Sequence, residues 1–141
     1  MRYWDSSALV ALLVEQRHSA TLRELYEEDP EVVTWTLSEV EIRSALQRLG
    51  REGAVDERSL QLGLQQAEAL WRGVYAVTAV EAVKARAKRL LGVHPLRAAD
   101  ALQLGAAIAS CYDDPSGASF VCLDDRLGSA AAREGFSLEP H

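Results

Sequence analysis

Residues 3–10 read YWDSSALV, and in this stretch a β-prone segment gives way to a helical one. Tyr3 and Trp4 are β-prone residues, whereas Ala8 opens an apolar run. Aspartate and serine are favoured at helix starts because their side-chain oxygens accept hydrogen bonds from free backbone N–H groups. The stretch therefore predicts a short strand that ends at Trp4 and a helix that begins directly after Asp5.

The same alternation of a short strand and a longer helix continues along the chain. Further strands are predicted over residues 32–35, 74–77, 120–123 and 136–138, and helices over residues 18–28, 37–49, 56–72, 80–91, 95–110 and 125–133. Such alternation indicates a mostly parallel sheet that helices cover on both faces. We therefore expect an α/β protein with three layers, α/β/α, and a short-stranded central sheet. The 141 residues have the length of one domain, which we place at residues 1–141.

The composition excludes several classes of protein. Hydrophobic residues make up 48% and charged residues 26% of the chain, values close to the globular average that argue against disorder. The net charge of −6 argues against binding nucleic acid through bulk positive charge, but not against bringing metal ions to its phosphates. No apolar run reaches the roughly 18–20 residues that span a bilayer, and there is no signal-peptide pattern. We therefore expect a cytoplasmic protein without a membrane partner.

Cysteines and histidines offer no zinc site. Cys111 and Cys122 form no CxxC motif and are expected to be buried free thiols. The three histidines, His18, His94 and His141, are scattered along the chain. Oxygen atoms are therefore the candidate ligands for a metal ion.

Carboxylates follow the ends of two predicted strands. Asp5 directly follows the first strand and Asp124 directly follows the fourth. Both are expected at one edge of the sheet, because ligands of parallel α/β sheets bind outside the carboxyl ends of the strands. Asp100 lies near the start of an almost wholly apolar helix, with Arg97 and Gln103 about 60° to either side of it. A buried carboxylate of this kind is costly unless it is paired or bound to a cation.

Two glutamates, Glu39 and Glu41, lie near the start of the helix predicted over residues 37–49. The apolar stripe of that helix lies between them, so periodicity does not choose which one faces the sheet edge. Each of the acids also has an ordinary explanation as a helix cap, a first-turn residue or a solvated side chain. Their convergence, however, would form a cluster of like charges that needs cations. Oxygen ligands suit Mg²⁺ or Mn²⁺, which polarise phosphodiesters and activate water.

Four blocks of sequence contain the candidate acids and their neighbours. They are residues 3–10 (YWDSSALV), 36–46 (TLSEVEIRSAL), 96–105 (LRAADALQLG) and 120–127 (FVCLDDRL). Together they resemble the single-domain PIN-fold ribonucleases that act as VapC toxins in VapBC toxin–antitoxin pairs. They are similar to the family's opening strand with its Asp and hydroxyl pair, its glutamate helix, its LRxxDALxLA stretch and its strand ending in TxDxxL. They are specific for the fold and the acidic site, but less so for the toxin role, because other PIN proteins process or degrade RNA.

The resemblance implies that four acids bind one or two divalent ions, with Glu41 rather than Glu39 in the set. These acids are Asp5, Glu41, Asp100 and Asp124. Ser6 would hydrogen-bond near the metal or its carboxylates. Where the family commonly has Thr or Ser two residues before the last Asp, this chain has Cys122, a weaker hydrogen-bond partner. Asp125 is a second acid there that could assist, although we favour a helix-capping role for it.

Several arginines near these acids are candidates for contacting RNA phosphates. Arg43 and Arg97 lie on helices that carry proposed metal ligands, and Arg126 follows soon after the last of them. Pairing of these arginines with nearby acids is the alternative. Trp4 and Trp35 are expected in the core rather than as base-stacking platforms, because both flank predicted strands.

The resemblance implies a PIN-like fold and an endoribonuclease that depends on Mg²⁺ or Mn²⁺, with RNA as its substrate. It also implies a small cognate antitoxin as a partner, and a homodimer. The alternatives are a PIN-domain RNA-processing nuclease outside a toxin–antitoxin system and a catalytically inactive PIN-like scaffold. An aspartate-based phosphatase fits less well, because Ser7 stands where its second Asp is usual. A phosphoacceptor domain lacks its lysine after a late strand, since Lys84 and Lys88 lie within one helix.

Overall fold

The computed structural model describes residues 1–141 as five strands and seven helices. The strands are β1 (Arg2–Trp4), β2 (Val33–Trp35), β3 (Tyr75–Val77), β4 (Ser119–Val121) and β5 (Ser137–Glu139). The helices are α1 (Ser6–Leu13), α2 (Ser19–Glu28), α3 (Ser38–Arg51), α4 (Glu57–Trp71), α5 (Val80–Leu91), α6 (Ala98–Ser110) and α7 (Asp125–Glu134). Every predicted strand and helix is present, with ends that differ by up to three residues.

The five strands form one sheet in the order β3-β2-β1-β4-β5, and each neighbouring pair is parallel. The predicted α/β class is confirmed, and the sheet is entirely rather than mostly parallel. The central strand β1 has β2 on one side and β4 on the other. The order of the strands therefore reverses at β1, and in such sheets this switch point is where ligands bind.

Neighbouring residues of a strand point to opposite faces of the sheet, which divides the core into two layers. Tyr3 and Phe120 stack with ring centroids 5.3 Å apart, in a cluster that includes residues of α5, α6 and α7. Trp4 and Val121 belong to a second cluster with residues of α1 to α4. These layers confirm the three-layer prediction. The structure also buries Trp4 and Trp35 in the core, as predicted.

Two boundaries differ from the sequence prediction in a way that shapes the sheet edge. Helix α6 begins at Ala98 instead of residue 95, because Arg97 has an extended backbone with φ −82° and ψ 165°. Strand β4 ends at Val121, because the N–H of Leu123 leaves the ladder and donates to the side-chain oxygen of Ser7 at 3.1 Å. Both changes concern residues that adjoin the predicted site.

Other expectations concern the cysteines and the membrane. Cys111 and Cys122 are free thiols, as predicted, but both are only partly buried. None of the helices combines the length and the apolar character needed to cross a bilayer.

Candidate active site

The carboxyl edge of the sheet brings together the four predicted acids. Asp5 directly follows β1, and Asp124 lies three residues beyond the end of β4. Glu41 and Asp100 lie in the first turns of α3 and α6. The acids therefore come from four separate parts of the chain, and the switch point of the sheet is what places them near one another.

Asp5 is the most buried of the four acids, with a relative exposure of 3%. Its carboxylate accepts hydrogen bonds from the Ser7 N–H at 2.8 Å, the Ser7 hydroxyl at 2.7 Å and the Ser6 hydroxyl at 3.3 Å. Burial raises the pKa of Asp5, while hydrogen bonds from Cys122, Ser7 and Ser6 oppose this effect. The carboxylate is thus fixed at the start of α1, in surroundings that disfavour its charge.

Glu41 is oriented by Gln103, a side chain of α6 that is only 1% exposed. The Gln103 amide nitrogen donates to Glu41 at 2.7 Å and to the Ser38 hydroxyl at 2.8 Å, and the Tyr3 hydroxyl donates to its amide oxygen at 2.6 Å. The Ser38 and Thr34 hydroxyls lie 2.7 Å apart, and Thr34 also donates to a carbonyl of β1 at 2.7 Å. These bonds fix which way the amide points, so that its nitrogen faces Glu41.

The structure shows which of Glu39 and Glu41 faces the acidic edge, a choice that the spacing of apolar residues did not decide. Glu41 is half-buried at the acidic edge, whereas Glu39 is exposed and lines a different pocket between α3 and α4. Burial raises the pKa of Glu41, the hydrogen bond from Gln103 lowers it, and the charges of Asp5 and Asp100 raise it. Glu41 is therefore the glutamate whose pKa is raised by the charges of the other acids.

Asp100 is half-buried at the start of α6, so it is not simply a solvated side chain. Burial raises the pKa of Asp100, and the charges of Asp124 and Asp5 raise it further. The charges of Arg97 and Arg126 oppose this effect. These two arginines line one pocket with Asp100 and Asp124, and neither makes an ion pair.

The expectation that Asp125 caps the last helix is wrong. Asp124 is the cap of α7, because it has an extended backbone and accepts a hydrogen bond from the Leu127 N–H at 2.8 Å. Asp125 is the first helical residue and is exposed, although it lines the pocket that Asp124 also lines.

Cys122 lies near two of the acids, Asp124 after β4 and Asp5 after β1. Its sulfur accepts a hydrogen bond from the Asp124 N–H at 3.2 Å. Burial, and next the charge of Asp5, raise the pKa of Cys122, so that it remains a protonated thiol. The thiol donates to the Asp124 carbonyl at 3.3 Å, and it also lies close enough to Asp5 to lower the pKa of that carboxyl. The cysteine therefore occupies a supporting position that a hydroxyl would fill with a stronger hydrogen bond.

An open groove of about 640 Å³ lies beside the acids, between α1 and α3. Its lining includes Ser6, Glu41, Ser44, Arg48 and Asp124. Arg43 lies outside this groove and pairs with Glu68 at 3.1 Å on the exposed surface. Of the three arginines predicted near RNA, Arg97 and Arg126 thus lie at the acids, while Arg43 lines the pocket between α3 and α4.

The donor set fits a hard divalent cation. No three Asp, Glu, His or Cys side chains are arranged to enclose a metal ion as they stand. The acids do supply oxygen ligands alone, and three of them have pKa values that burial raises in the first place. For Glu41 and Asp100 the charges of neighbouring acids add to this effect. A divalent cation would relieve that repulsion, and oxygen atoms are the ligands that hard cations prefer.

Sequence reasoning gave no role to three residues that build the site. Gln103 appeared only as a polar neighbour of Asp100, and Ser38 only within a matched block. Ser7 supports Asp5 more closely than the predicted Ser6 does. The available signal was a glutamine on an apolar helix, because a buried amide needs partners.

The sheet order and the acids at its switch point define an α/β protein of the PIN type. The PIN domain model matches residues 2–131, and the chain belongs to the PIN domain family. Strand β5 lies beyond the matched residues and completes the sheet.

Two proteins of Mycobacterium tuberculosis are similar to this chain over nearly its whole length. They are Ribonuclease VapC45 of strain CDC 1551 and Ribonuclease VapC49 of strain H37Rv. Each is 30% identical over 138 residues, which cover 98% of this chain and 94% of the relative.

Proposed function

We propose that this protein is an endoribonuclease that hydrolyses RNA phosphodiester bonds with the aid of Mg²⁺ or Mn²⁺. The observation that carries the proposal is the grouping of Asp5, Glu41, Asp100 and Asp124 at the switch point of a PIN fold. The two similar proteins are named ribonucleases, which supports RNA as the substrate. In this proposal residues 1–141 act as a single PIN domain.

The four acids would hold the cation. A cation held there would supply polarisation of the phosphodiester and a lowered pKa for an attacking water. Gln103 positions Glu41, because its amide nitrogen donates to that carboxylate at 2.7 Å. Ser7 and Ser6 position Asp5 through their hydroxyls, and these bonds reduce the freedom of the carboxylate before any ligand binds.

The unpaired arginines at the acidic edge would contact the RNA backbone. Arg97 and Arg126 line the pocket that contains Asp100 and Asp124. Their guanidinium groups can donate to phosphate oxygens and partly offset the negative charge of the acids. Asp125, exposed in the same pocket, would assist from the edge of the metal site.

We further propose that the protein is the toxin of a toxin–antitoxin pair and acts in the cytoplasm. The similarity to two proteins named VapC supports a small cognate antitoxin, which would block the acidic site. The homodimer is part of the proposal because the family resemblance of the sequence implies it. A small open reading frame directly upstream that encodes a DNA-binding antitoxin is the expected genomic observation. Its absence would favour the alternative, an RNA-processing nuclease outside such a system.

The test is cleavage of a labelled RNA by the purified protein with added Mg²⁺ or Mn²⁺, and again with EDTA. We expect cleavage only with the metal, and none by the Asp5→Asn variant. The matched control is Asp113→Asn, since Asp113 is an exposed acid that pairs with Arg86 at 2.7 Å, outside the acidic edge. Cleavage in EDTA, or an active Asp5→Asn protein, would contradict the proposed mechanism.

A further inference from the structure

A second pocket, of about 730 Å³, lies between α3 and α4. Its lining includes three arginines, two glutamates and a tryptophan, namely Arg43, Arg51, Arg72, Glu39, Glu68 and Trp71. Val40 and Ser44 line both this pocket and the groove beside the acids, so the two adjoin across the exposed ridge of α3. A chain bound at the acids can therefore reach the second pocket by passing over the short side chain of Ser44.

The charges in this pocket differ from those of the protein as a whole. Arg51 and Arg72 make no ion pair, whereas Arg43 pairs with Glu68 at 3.1 Å. Arg48, on the neighbouring groove, is also unpaired. Free guanidinium groups thus line both the groove and this pocket. The three arginines and two glutamates of the pocket give it a formal charge of +1, in a chain whose net charge is −6. Such groups bind phosphates through charge-assisted hydrogen bonds.

Trp71 differs from the other two tryptophans. Trp4 and Trp35 are 0% and 2% exposed and belong to the core. Trp71 is only partly buried and lines the pocket beside Arg43 and Arg72. A partly exposed indole between cations is a surface on which a nucleobase can stack, while the neighbouring phosphates contact the arginines.

We propose that the pocket between α3 and α4 binds a nucleotide of single-stranded RNA, with its base against Trp71 and its phosphates at Arg51 and Arg72. The proposal rests on the proposed function, because it assumes that RNA occupies the acidic groove. It adds a second contact away from the bond that is cleaved. Single-stranded RNA fits because its bases are free to leave the helical stack and pack on an aromatic side chain.

Tryptophan fluorescence tests this contact without cleavage. The protein in EDTA is titrated with a single-stranded oligoribonucleotide, and the emission is recorded. We expect quenching that the Trp71→Phe variant lacks, because the two remaining tryptophans are buried. We expect Trp71→Ala to raise the dissociation constant for RNA roughly fivefold or more.

The arginines are tested through the salt dependence of binding. Arg51→Ala and Arg72→Ala are expected to weaken binding and to reduce the slope of log K against log salt by about one each. Arg133→Ala is the matched control, since Arg133 is exposed and unpaired on α7 and should leave both quantities unchanged. Thermal melting of each variant checks that it folds.

The possible outcomes separate this proposal from the function proposed above. If the Trp71 and arginine variants bind RNA like the wild type, the pocket proposal is wrong even when metal-dependent cleavage is observed. The same conclusion follows if the variants lose only inhibition by an antitoxin peptide, because the pocket would then bind protein. If the wild type shows the quenching and salt dependence but cleaves nothing with metal, the contact stands and the proposed activity fails.

Discussion

The two ends of helix α6 carry aspartates in opposite electrostatic situations. Asp100, in the first turn, has a pKa that is raised by burial and by the charges of Asp124 and Asp5. Asp113, just beyond the last turn, accepts two hydrogen bonds from Arg86 at 2.8 and 2.7 Å. These hydrogen bonds lower the pKa of Asp113. The surroundings of Asp100 therefore disfavour its charged form, whereas those of Asp113, at the other end of the same helix, stabilise its charged form.

This difference shows how function and stability are distributed in the molecule. Some acids away from the sheet edge have their own cations, as Asp113 has in Arg86 and Glu134 has in Arg89, both at 2.7 Å. The acids at the edge have instead a network of hydroxyl and amide donors, which orients them without neutralising them. A cation from solution would therefore stabilise such a site. An acid that already has an ion pair within the chain has no comparable need for one.

Exchange of each aspartate for asparagine tests this comparison and has the largest expected effect. Asp100→Asn should reduce metal-dependent RNA cleavage by more than about 100-fold, the upper range for residues that only support a metal ligand. It should not lower the melting temperature in EDTA, because it removes a charge that burial and neighbouring acids disfavour. Asp113→Asn should leave cleavage unchanged and reduce stability slightly through the loss of its pair with Arg86. Cleavage rates and melting curves of both variants decide between these patterns.

Replacement of Gln103 sharpens the comparison by removing the support of an edge acid rather than the acid. Gln103→Leu leaves the Glu41 carboxylate and the Tyr3 hydroxyl without a partner, which should cost about 2–3 kcal/mol of unfolding free energy. Cleavage should fall roughly 10- to 100-fold, and the Mn²⁺ concentration for half-maximal rate should rise.

The metal dependence is the quantity that a purely structural role would not change. Gln61→Leu is the matched control, because Gln61 is exposed on α4 and bonds only to Glu57. If Gln103→Leu lowers stability but leaves the half-maximal Mn²⁺ concentration unchanged, Gln103 does not position Glu41.

The sequence was sufficient to predict the strands and helices and the approach of Asp5, Asp100 and Asp124 to the sheet edge, because these depend on local signals; their role as metal ligands stays a prediction. An acid that directly follows a short strand, as Asp5 does, lies at the carboxyl edge of a parallel sheet, and this can be recognised from the neighbouring residues alone. The choice between Glu39 and Glu41 needed the family resemblance, and the structure shows why periodicity fails there. The relevant contact is to Gln103, which is 62 residues away in the chain, and no local pattern reports such a pairing.

Glu134 offers a smaller effect, on stability alone. The hydrogen bond from Arg89, and to a smaller extent the one with His94, lowers the pKa of Glu134 from its ordinary value of 4.5. The folded state therefore favours the carboxylate, so this stabilisation is complete above pH 4.5 and is lost as the pH falls through the lowered value. Glu134→Gln should reduce the unfolding free energy by about 1 kcal/mol at pH 7, with RNA cleavage unchanged. Urea denaturation at pH 7 and pH 3 checks this, since the variant and wild type should converge at the lower pH.

Replacement of Cys122 should give the smallest effect. It tests whether metal affinity at the edge acids changes with the strength of the hydrogen bonds that these acids accept. A serine hydroxyl in its place is a stronger hydrogen-bond donor to Asp5 than the thiol is, so it should favour the charged carboxylate and bind the cation more tightly. A gain of about 0.5–1 kcal/mol corresponds to a two- to fivefold lower Mn²⁺ concentration for half-maximal cleavage by Cys122→Ser. Cys111→Ser is the control, because the other free thiol bonds to the carbonyl of Ile108 at 3.4 Å, away from the acids. An unchanged Mn²⁺ requirement in Cys122→Ser would mean that burial and the serines alone set the charge of Asp5.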